Sequence, residues 1–239
     1  HLTHSAALGA CTGALLALFG KHLPVNNGVF QCIEVIAPEG TMVHAKYPSP
    51  VYFGMTDGAA MVANLALRAI GNIDKSKRYS LSGSSSCSFD IEFSEDHFFE
   101  TLEPGSGAGP SSSGTDGVTL WRRSNLQPSV EAIESRFPIR VESFSFRPNS
   151  GGTGKYKGGN GVVKSFTLLE KGTLSWSIFE PNEKPMGMSG GKDAQEAEIY
   201  LQRIGEQKTV LAKKGKIELN PGDRVIVQSS GGGGFGIVD

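Results

Sequence analysis

Thr173-Leu174-Ser175-Trp176-Ser177-Ile178 alternates polar and apolar side chains through a full strand length. Successive side chains of a strand point to opposite faces, so Leu174, Trp176 and Ile178 are expected to face a core and the polar set to face away. Ala197-Glu198-Ile199-Tyr200-Leu201-Gln202 repeats the pattern. Ile217–Leu219 and Arg224–Gln228 flank Asn220-Pro221-Gly222-Asp223, whose Pro and Gly suit the inner positions of a turn. Short strands at this spacing predict an antiparallel sandwich or barrel from about Ile139 to the end. One short helix near Ser129–Ser135, begun after Pro128, precedes it.

Upstream the period differs. Residues 5–19 are rich in Ala and Leu and read as a helix closed by Gly20. It is apolar on nearly every face, so other chain has to cover it, and His1 opens the chain without a Met. Upstream sequence or a partner is therefore expected to do the covering. Leu23-Pro24-Val25-Asn26-Asn27-Gly28 reads as a tight turn into a strand over Val29–Ala37, ended by Pro38-Glu39-Gly40. Thr56 or Asp57 is placed to cap a second helix over Ala59–Ile70, stopped by Gly71. A short strand, Phe89–Phe93, follows the small polar run Ser82–Ser88. Pro104–Gly117 reads as a loop, either a solvated linker or a substrate-covering lid. The expected organisation is α+β: residues 1–117 form a mixed helix and strand part that completes a core begun upstream. Residues 118–239 form a mainly β domain with glycine-rich hairpins.

Composition narrows the function classes. Lys+Arg of 23 against Asp+Glu of 24 gives a net charge of −1, and no basic stripe offers counterion release, so nucleic acid is not expected as a partner. The apolar stretch Ala6–Phe19 spans only about 21 Å as a helix, short of the roughly 30 Å of a bilayer core. No membrane association is expected. Cys11, Cys32 and Cys87 are odd in number with no close pair, which fits a reducing cytoplasm. The 32 glycines, about 13% of the chain, are the compositional outlier.

The usual chemical motifs fail on inspection. Asn149-Ser150-Gly151-Gly152-Thr153-Gly154-Lys155 lacks the first Gly of a phosphate-binding P-loop, and Tyr156 stands where the hydroxyl residue belongs. Gly187-Met188-Ser189-Gly190-Gly191 matches a nucleophile elbow in letters, but no helix pattern follows it. His4, His22, His44 and His97 are scattered and no Cys-x-x-Cys or His-Glu-x-x-His occurs, so no metal site is expected in this chain. No dinucleotide fingerprint opens a helix.

The most distinctive stretch is Arg147-Pro148-Asn149-Ser150-Gly151-Gly152-Thr153-Gly154-Lys155-Tyr156-Lys157-Gly158-Gly159-Asn160-Gly161-Val162-Val163. It resembles the signature of the hydantoinase B/oxoprolinase family. Three further pieces are similar to that family in the same order. These are Leu23–Gly28 with Ile33–Thr41; Gly114–Gly117 with Asn125, Pro128, Glu131, Glu134 and Pro138–Glu142; and Pro221–Asp223 with the glycine run Gly231–Gly236. Departures are Gln31-Cys32 in place of Arg-Pro, Asn149 in place of Asp, and Ile237-Val238-Asp239 in place of Asp-Pro.

The resemblance implies a B-type subunit that completes the site for a cyclic amide beside an A-type, ATP-binding subunit. ATP and Mg are then expected on that partner and not on this chain. It also implies that an amino-terminal portion of the B-type subunit is missing here, and that the assembly is a hetero-oligomer. The implied reaction is ATP-driven ring opening of a hydantoin, 5-oxoproline or lactam. The alternatives are a component of an acetone or acetophenone carboxylase, or a β scaffold that holds subunits together.

Candidate substrate or interface residues follow from position. Asn26 and Glu39 sit at loop ends beside the expected strand, with an Asx-turn and a solvated turn carboxylate as their structural alternatives. Asp116 in Thr-Asp-Gly is similar. Asn149, Gly151, Gly152 and Gly154, with Gly158, Gly159 and Gly161, could present N–H groups to an anion, or could simply let the chain double back between two strands. No catalytic residue is assigned.

Overall fold

A computed structural model describes residues 1–20, 23–118, 126–179 and 184–238. His4–Phe19 forms helix α1, with Thr3 Oγ1 accepting from Ala6 N at 3.3 Å as its N-cap. Gly20 closes it through an N–H to Leu16 O bond of 2.7 Å, in ordinary right-handed conformation. Ala10 and Ala14 pack against Ala59, Ala63 and Leu67 of helix α3, Ala59–Ile73. Small residues on both faces let the two helices approach closely. Leu8, Leu15, Leu16 and Phe19 of α1 stay half-exposed, so α3 covers only one side of the all-apolar helix.

The expected strand Val29–Ala37 does not form. Asn27–Gln31 is instead a short helix, α2, because Asn26 Oδ1 accepts from Gly28 N at 2.9 Å and caps it. Residues 33–38 then run irregularly along α1, where His4 Nε2 donates to Val35 O at 2.9 Å. Helix α3 is entered through a π-helical turn, Gly54–Gly58, with no side-chain cap, and Asp57 is buried in that turn. Gly71 does not stop the helix. A Cβ there would lie 2.9 Å from Arg78 Cα, so the glycine makes room for the returning chain.

The strands are β1 (Ser88–Glu92), β2 (His97–Glu100), β3 (Ile139–Phe146), β4 (Val162–Leu168), β5 (Gly172–Ser177), β6 (Glu198–Gln202), β7 (Thr209–Val210), β8 (Lys214–Leu219) and β9 (Arg224–Gln228). The expected short helix forms as α4, Val130–Arg136, with Ser129 outside it as the N-cap. The strands make two antiparallel sheets, ordered β2-β1-β5-β8 and β3-β4-β9-β6-β7. Both retain open edges, so the sandwich holds and the barrel alternative does not. The turn Asn220–Asp223, with Gly222 at φ +89, carries the chain from one sheet to the other and not between paired neighbours. Strands β1 and β2 pair into the sheet of β5 and β8, so that sheet spans the boundary drawn at 117/118.

Phe89, Ile91, Phe98 and Leu174 from the first sheet meet Phe166, Leu168, Ile199, Leu201, Val225 and Val227 from the second. Phe89 stacks on Phe166 with ring centroids 5.6 Å apart. Inside this apolar slab lies one ion pair, Lys164 Nζ to Glu100 Oε1 at 2.5 Å, which ties β4 to β2 across the sandwich. Burial pushes the Glu100 carboxyl above the usual carboxylate range, and the Lys164 charge only partly opposes that shift.

Candidate functional site

The glycine-rich segments build a layer at one end of the sandwich. Pro104–Gly109, read as part of a linker or lid, is buried, as are Ser82, Ser85 and Ser86. Extended stretches around 80–82, 104–109, 150–161, 186–192 and 229–236 pass side by side and bond through their backbones, outside any β-ladder. Gly152 N donates to Gly232 O, Gly232 N to Gly159 O, and Gly159 N to Ser106 O, each at 2.9 Å. No side chain fits between them. A Cβ on Gly158 would meet Gly232 O at 1.8 Å, and one on Gly107 would meet Ser80 O at 1.8 Å. Gly151, Gly152, Gly154, Gly158, Gly159 and Gly161 all avoid the left-handed region. Close backbone approach, not positive φ, is what requires them.

This geometry bears directly on the anion-nest alternative. Gly151 N donates to Asn160 Oδ1, Gly158 N to Gly152 O and Gly161 N to Ser150 Oγ. Together with Gly152 and Gly159, five of these donors are directed inward.

Asp116 belongs to the same layer. Its Oδ1 accepts from Asn160 N at 2.6 Å, and Asn160 Oδ1 accepts in turn from Ser150 N at 3.2 Å. The carboxylate thus fastens the loop between β3 and β4. Asn149 is exposed at φ +58, a conformation that Asn and Asp tolerate better than other side chains, so either residue type suits this turn. Arg147, buried, starts the loop: its guanidinium donates to Glu196 O, to Ser229 O at 3.2 Å and to Glu198 Oε2 at 2.7 Å.

The structure therefore gathers Asp116, Asn149, Gly151, Gly152 and Gly154 around one layer. Asn26 and Glu39 lie elsewhere, exposed on the segment that borders α1, with Asn26 used as a helix cap. Asn125 and His22 fall outside the described residues. His4 and His44, distant in sequence, stand with ring centroids 4.9 Å apart, each bonded to a backbone carbonyl. Among the described residues no group of three His, Cys, Asp or Glu side chains forms a metal site. Ser189 of the elbow-like motif sits exposed at φ +54 in a turn, and no helix follows it.

One concave feature was not anticipated. The outer face of the sheet β2-β1-β5-β8 carries Asp90, His97, Phe99, Ser175 and Ser177, and Tyr52 and Phe53 lean over it from the helical part. Tyr52 meets Phe99 edge-on at 6.3 Å, and a cleft of about 840 Å³ opens between the two layers. His97 Nδ1 lies 3.6 Å from Asp90 Oδ2 in the cleft wall. Phe53, Ser177 and Phe179 also line a smaller chamber of about 260 Å³, whose other walls include Asp57, Met61, Val62 and Leu65. These residues come from five separate elements. The one local signal was aromatic: Phe99 occupies an outward, normally polar phase of its strand.

Together these features describe a glycine-packed β-sandwich flanked by a partly covered helical unit. Comparison with known proteins gives the class its family. A family model for hydantoinase B/oxoprolinase matches residues 1–238, and the chain belongs to that family. A 5-oxoprolinase of Dictyostelium discoideum is 28% identical over 237 residues, which is 98% of this chain and 18% of that protein. The fold resembles that of an ATP-dependent caprolactamase from Pseudomonas jessenii, with a TM-score of 0.80 at 21% identity, covering 94% of this chain and 42% of that one. An acetone carboxylase, solved nucleotide-free, gives 0.73 at 14% identity, covering 94% and 36%. The chain thus spans less than half the length of these proteins. No described helix is long and apolar enough to cross a membrane.

Proposed function

We propose that this chain is the carboxy-terminal part of the B-type component of an ATP-dependent cyclic amidohydrolase, opening a hydantoin, 5-oxoproline or lactam ring. The observation that carries the reading is the family match along the whole length, residues 1–238. The reaction has a physical rationale. An unstrained amide is a poor electrophile, and phosphorylation of its oxygen creates a leaving group that lowers the barrier to attack.

In this reading ATP and Mg bind the A-type partner. The inward-directed glycine donors support that division, because they leave this chain a wall and not a phosphate cradle. Glu39 and Asn149, exposed on turns, are available to the partner or to the substrate. A second reading, a component of a ketone carboxylase, has the fold likeness to acetone carboxylase in its favour.

Chromatography of reaction mixtures tests both. The complete protein with its A-type component is expected to convert a lactam or 5-oxoproline to the open-chain amino acid, or a hydantoin to the N-carbamoyl amino acid, in step with ATP consumption and without bicarbonate. Ketone consumption that depends on bicarbonate would select the carboxylase reading. ATP-dependent turnover on neither substrate class would refute both. Alanine at Asn26, Glu39 and Asp116 that left turnover intact, while changes at the subunit interface abolished it, would select a scaffold role.

A further inference from the structure

Strand β3 is an open edge of the five-stranded sheet, and its two halves are finished differently. The first half is closed. Val141 N donates to Glu134 Oε1 at 2.7 Å from α4, and a bulge lies between Val141 and Ser143. Charges and bulges are common means by which edge strands avoid pairing with other chains. The second half, Ser143-Phe144-Ser145-Phe146, has neither charge nor proline. Arg147 N donates to Gly161 O in register with β4. By the alternation of an antiparallel ladder, Phe144 and Phe146 therefore turn their N–H and C=O groups outward. Among the described residues no partner meets them.

Strand β4 stands over β2 through the Lys164–Glu100 pair, and β2 is the edge of its own sheet. Strand β3 therefore overhangs the sandwich. Phe144 and Phe146 lie opposite Lys164 and Val162 and share their inner face, yet stay 43% and 57% exposed. Open backbone donors and acceptors beside two uncovered rings fit an added strand, because extended backbone supplies both groups at the same repeat.

We propose that the open half of β3 pairs antiparallel with β3 of a second copy of this chain, about a twofold axis at Ser145. Phe144 of each copy then faces Phe146 of the other, four backbone hydrogen bonds form, and the four rings meet on one face. A twofold contact has to be self-complementary. Donors and acceptors alternate here, and no like charges stand opposite each other. The lengths match as well. In this register Asn149 of one copy comes opposite Val141 of the other, where Glu134 occupies the edge. Pro148 and Asn149, the latter at φ +58, turn the arriving strand away at that point. The pairing does not depend on which ring or ketone the complex consumes. A phenylalanine buries about 150–250 Å², so four half-exposed rings cover roughly 300–500 Å². That is below the roughly 1,200 Å² of a stable interface, so the contact by itself is weak and concentration-dependent.

Disulfide trapping in the complete protein reads so weak a contact. The two Ser145 residues would form a non-hydrogen-bonded pair with Cα atoms about 4.5 Å apart, within disulfide reach. Ser145 is exposed, so Ser145→Cys leaves folding alone. In a background where exposed thiols are replaced, Cys32→Ser among them, a mild oxidant is expected to link two copies through this position. Linking should run at least tenfold faster than for Lys208→Cys, an exposed control between β6 and β7 at the far edge of the sheet. Adding Phe146→Pro deletes an outward N–H that β4 does not use, a change edge strands tolerate, and should slow linking at least tenfold. Linking no faster than the control, whether the edge stays bare or another polypeptide fills it, overturns the proposal. So does fast linking that Phe146→Pro leaves untouched.

Discussion

Replacing Gly158 by alanine is expected to destabilise the protein far more than a single methyl group suggests. The added Cβ would lie 1.8 Å from Gly232 O, whereas real Cβ atoms essentially never come within 3.0 Å of a neighbour. That neighbour is backbone and cannot swing aside as a side chain does. The two segments have to part by roughly 1 Å, and overpacking of this kind is relieved only by backbone shifts. Gly232 also accepts from Gly152 N and donates to Gly159 O, so parting disturbs two buried bonds of 2.9 Å. A buried polar group left unsatisfied costs about 1–3 kcal/mol, which gives roughly 2–6 kcal/mol when about 1–3 kcal/mol of overpacking is added. For a chain of this size that corresponds to a fall in Tm of roughly 4–24 °C. Gly9→Ala is the control: it lies within α1 with nothing within 4 Å of the added Cβ, and should stabilise by up to about 1 kcal/mol. Thermal unfolding of both variants, followed by circular dichroism, measures the contrast. A Gly158→Ala protein with unchanged Tm would refute the close-packed glycine layer.

The remaining predictions concern the sandwich core and its loops. Lys164→Met strands a carboxylate that is 4% exposed and should cost about 3–5 kcal/mol, while Lys164→Met combined with Glu100→Leu should recover most of it; denaturant titration of the double-mutant cycle decides. Because the folded Glu100 carboxyl titrates above its unfolded value, the native state holds more protons between the two, so this group's contribution falls as pH rises through that window. The stability of the native protein relative to Glu100→Gln should accordingly decrease from the ordinary glutamate range upward, and an opposite slope in unfolding midpoints would contradict the assignment. Asn149→Gly should leave stability within about 1 kcal/mol, whereas Asn149→Val, forced to φ +58, should lose about 1–2 kcal/mol or more in the same titration.

Much of the local structure was legible. The alternation at 173–178 and 197–202 placed β5 and β6, and the stretch after Pro128 announced α4, because period and helix starts are properties of near neighbours. Residues 29–37 misled because a few apolar residues in a row suit a strand or an irregular segment equally. Among the described residues no strand pairs with this segment, and Asn26 caps α2. The site candidates divided similarly. Asp116 and the signature glycines were legible only as separate candidates; the fold brings them into one layer, where Asp116 accepts from Asn160 N and the glycines let backbones approach. Asp57 passed only as a helix cap, and Phe179 went unnoticed, because nothing in the chain near either residue tells of the chamber they share.

What the sequence alone determined was helices α1, α3 and α4, strands β1, β5, β6, β8 and β9, the two-sided character of those strands and the presence of an unusual glycine density. Only the tertiary structure decided why those glycines are there. Ser80 Oγ donates to Gly234 O across 154 residues of sequence, and such contacts have no local trace. The sheet order, the ion pair inside the sandwich and the cleft on its outer face share that origin. Each exists because distant backbones stack within van der Waals reach, a condition set by the packed chain as a whole.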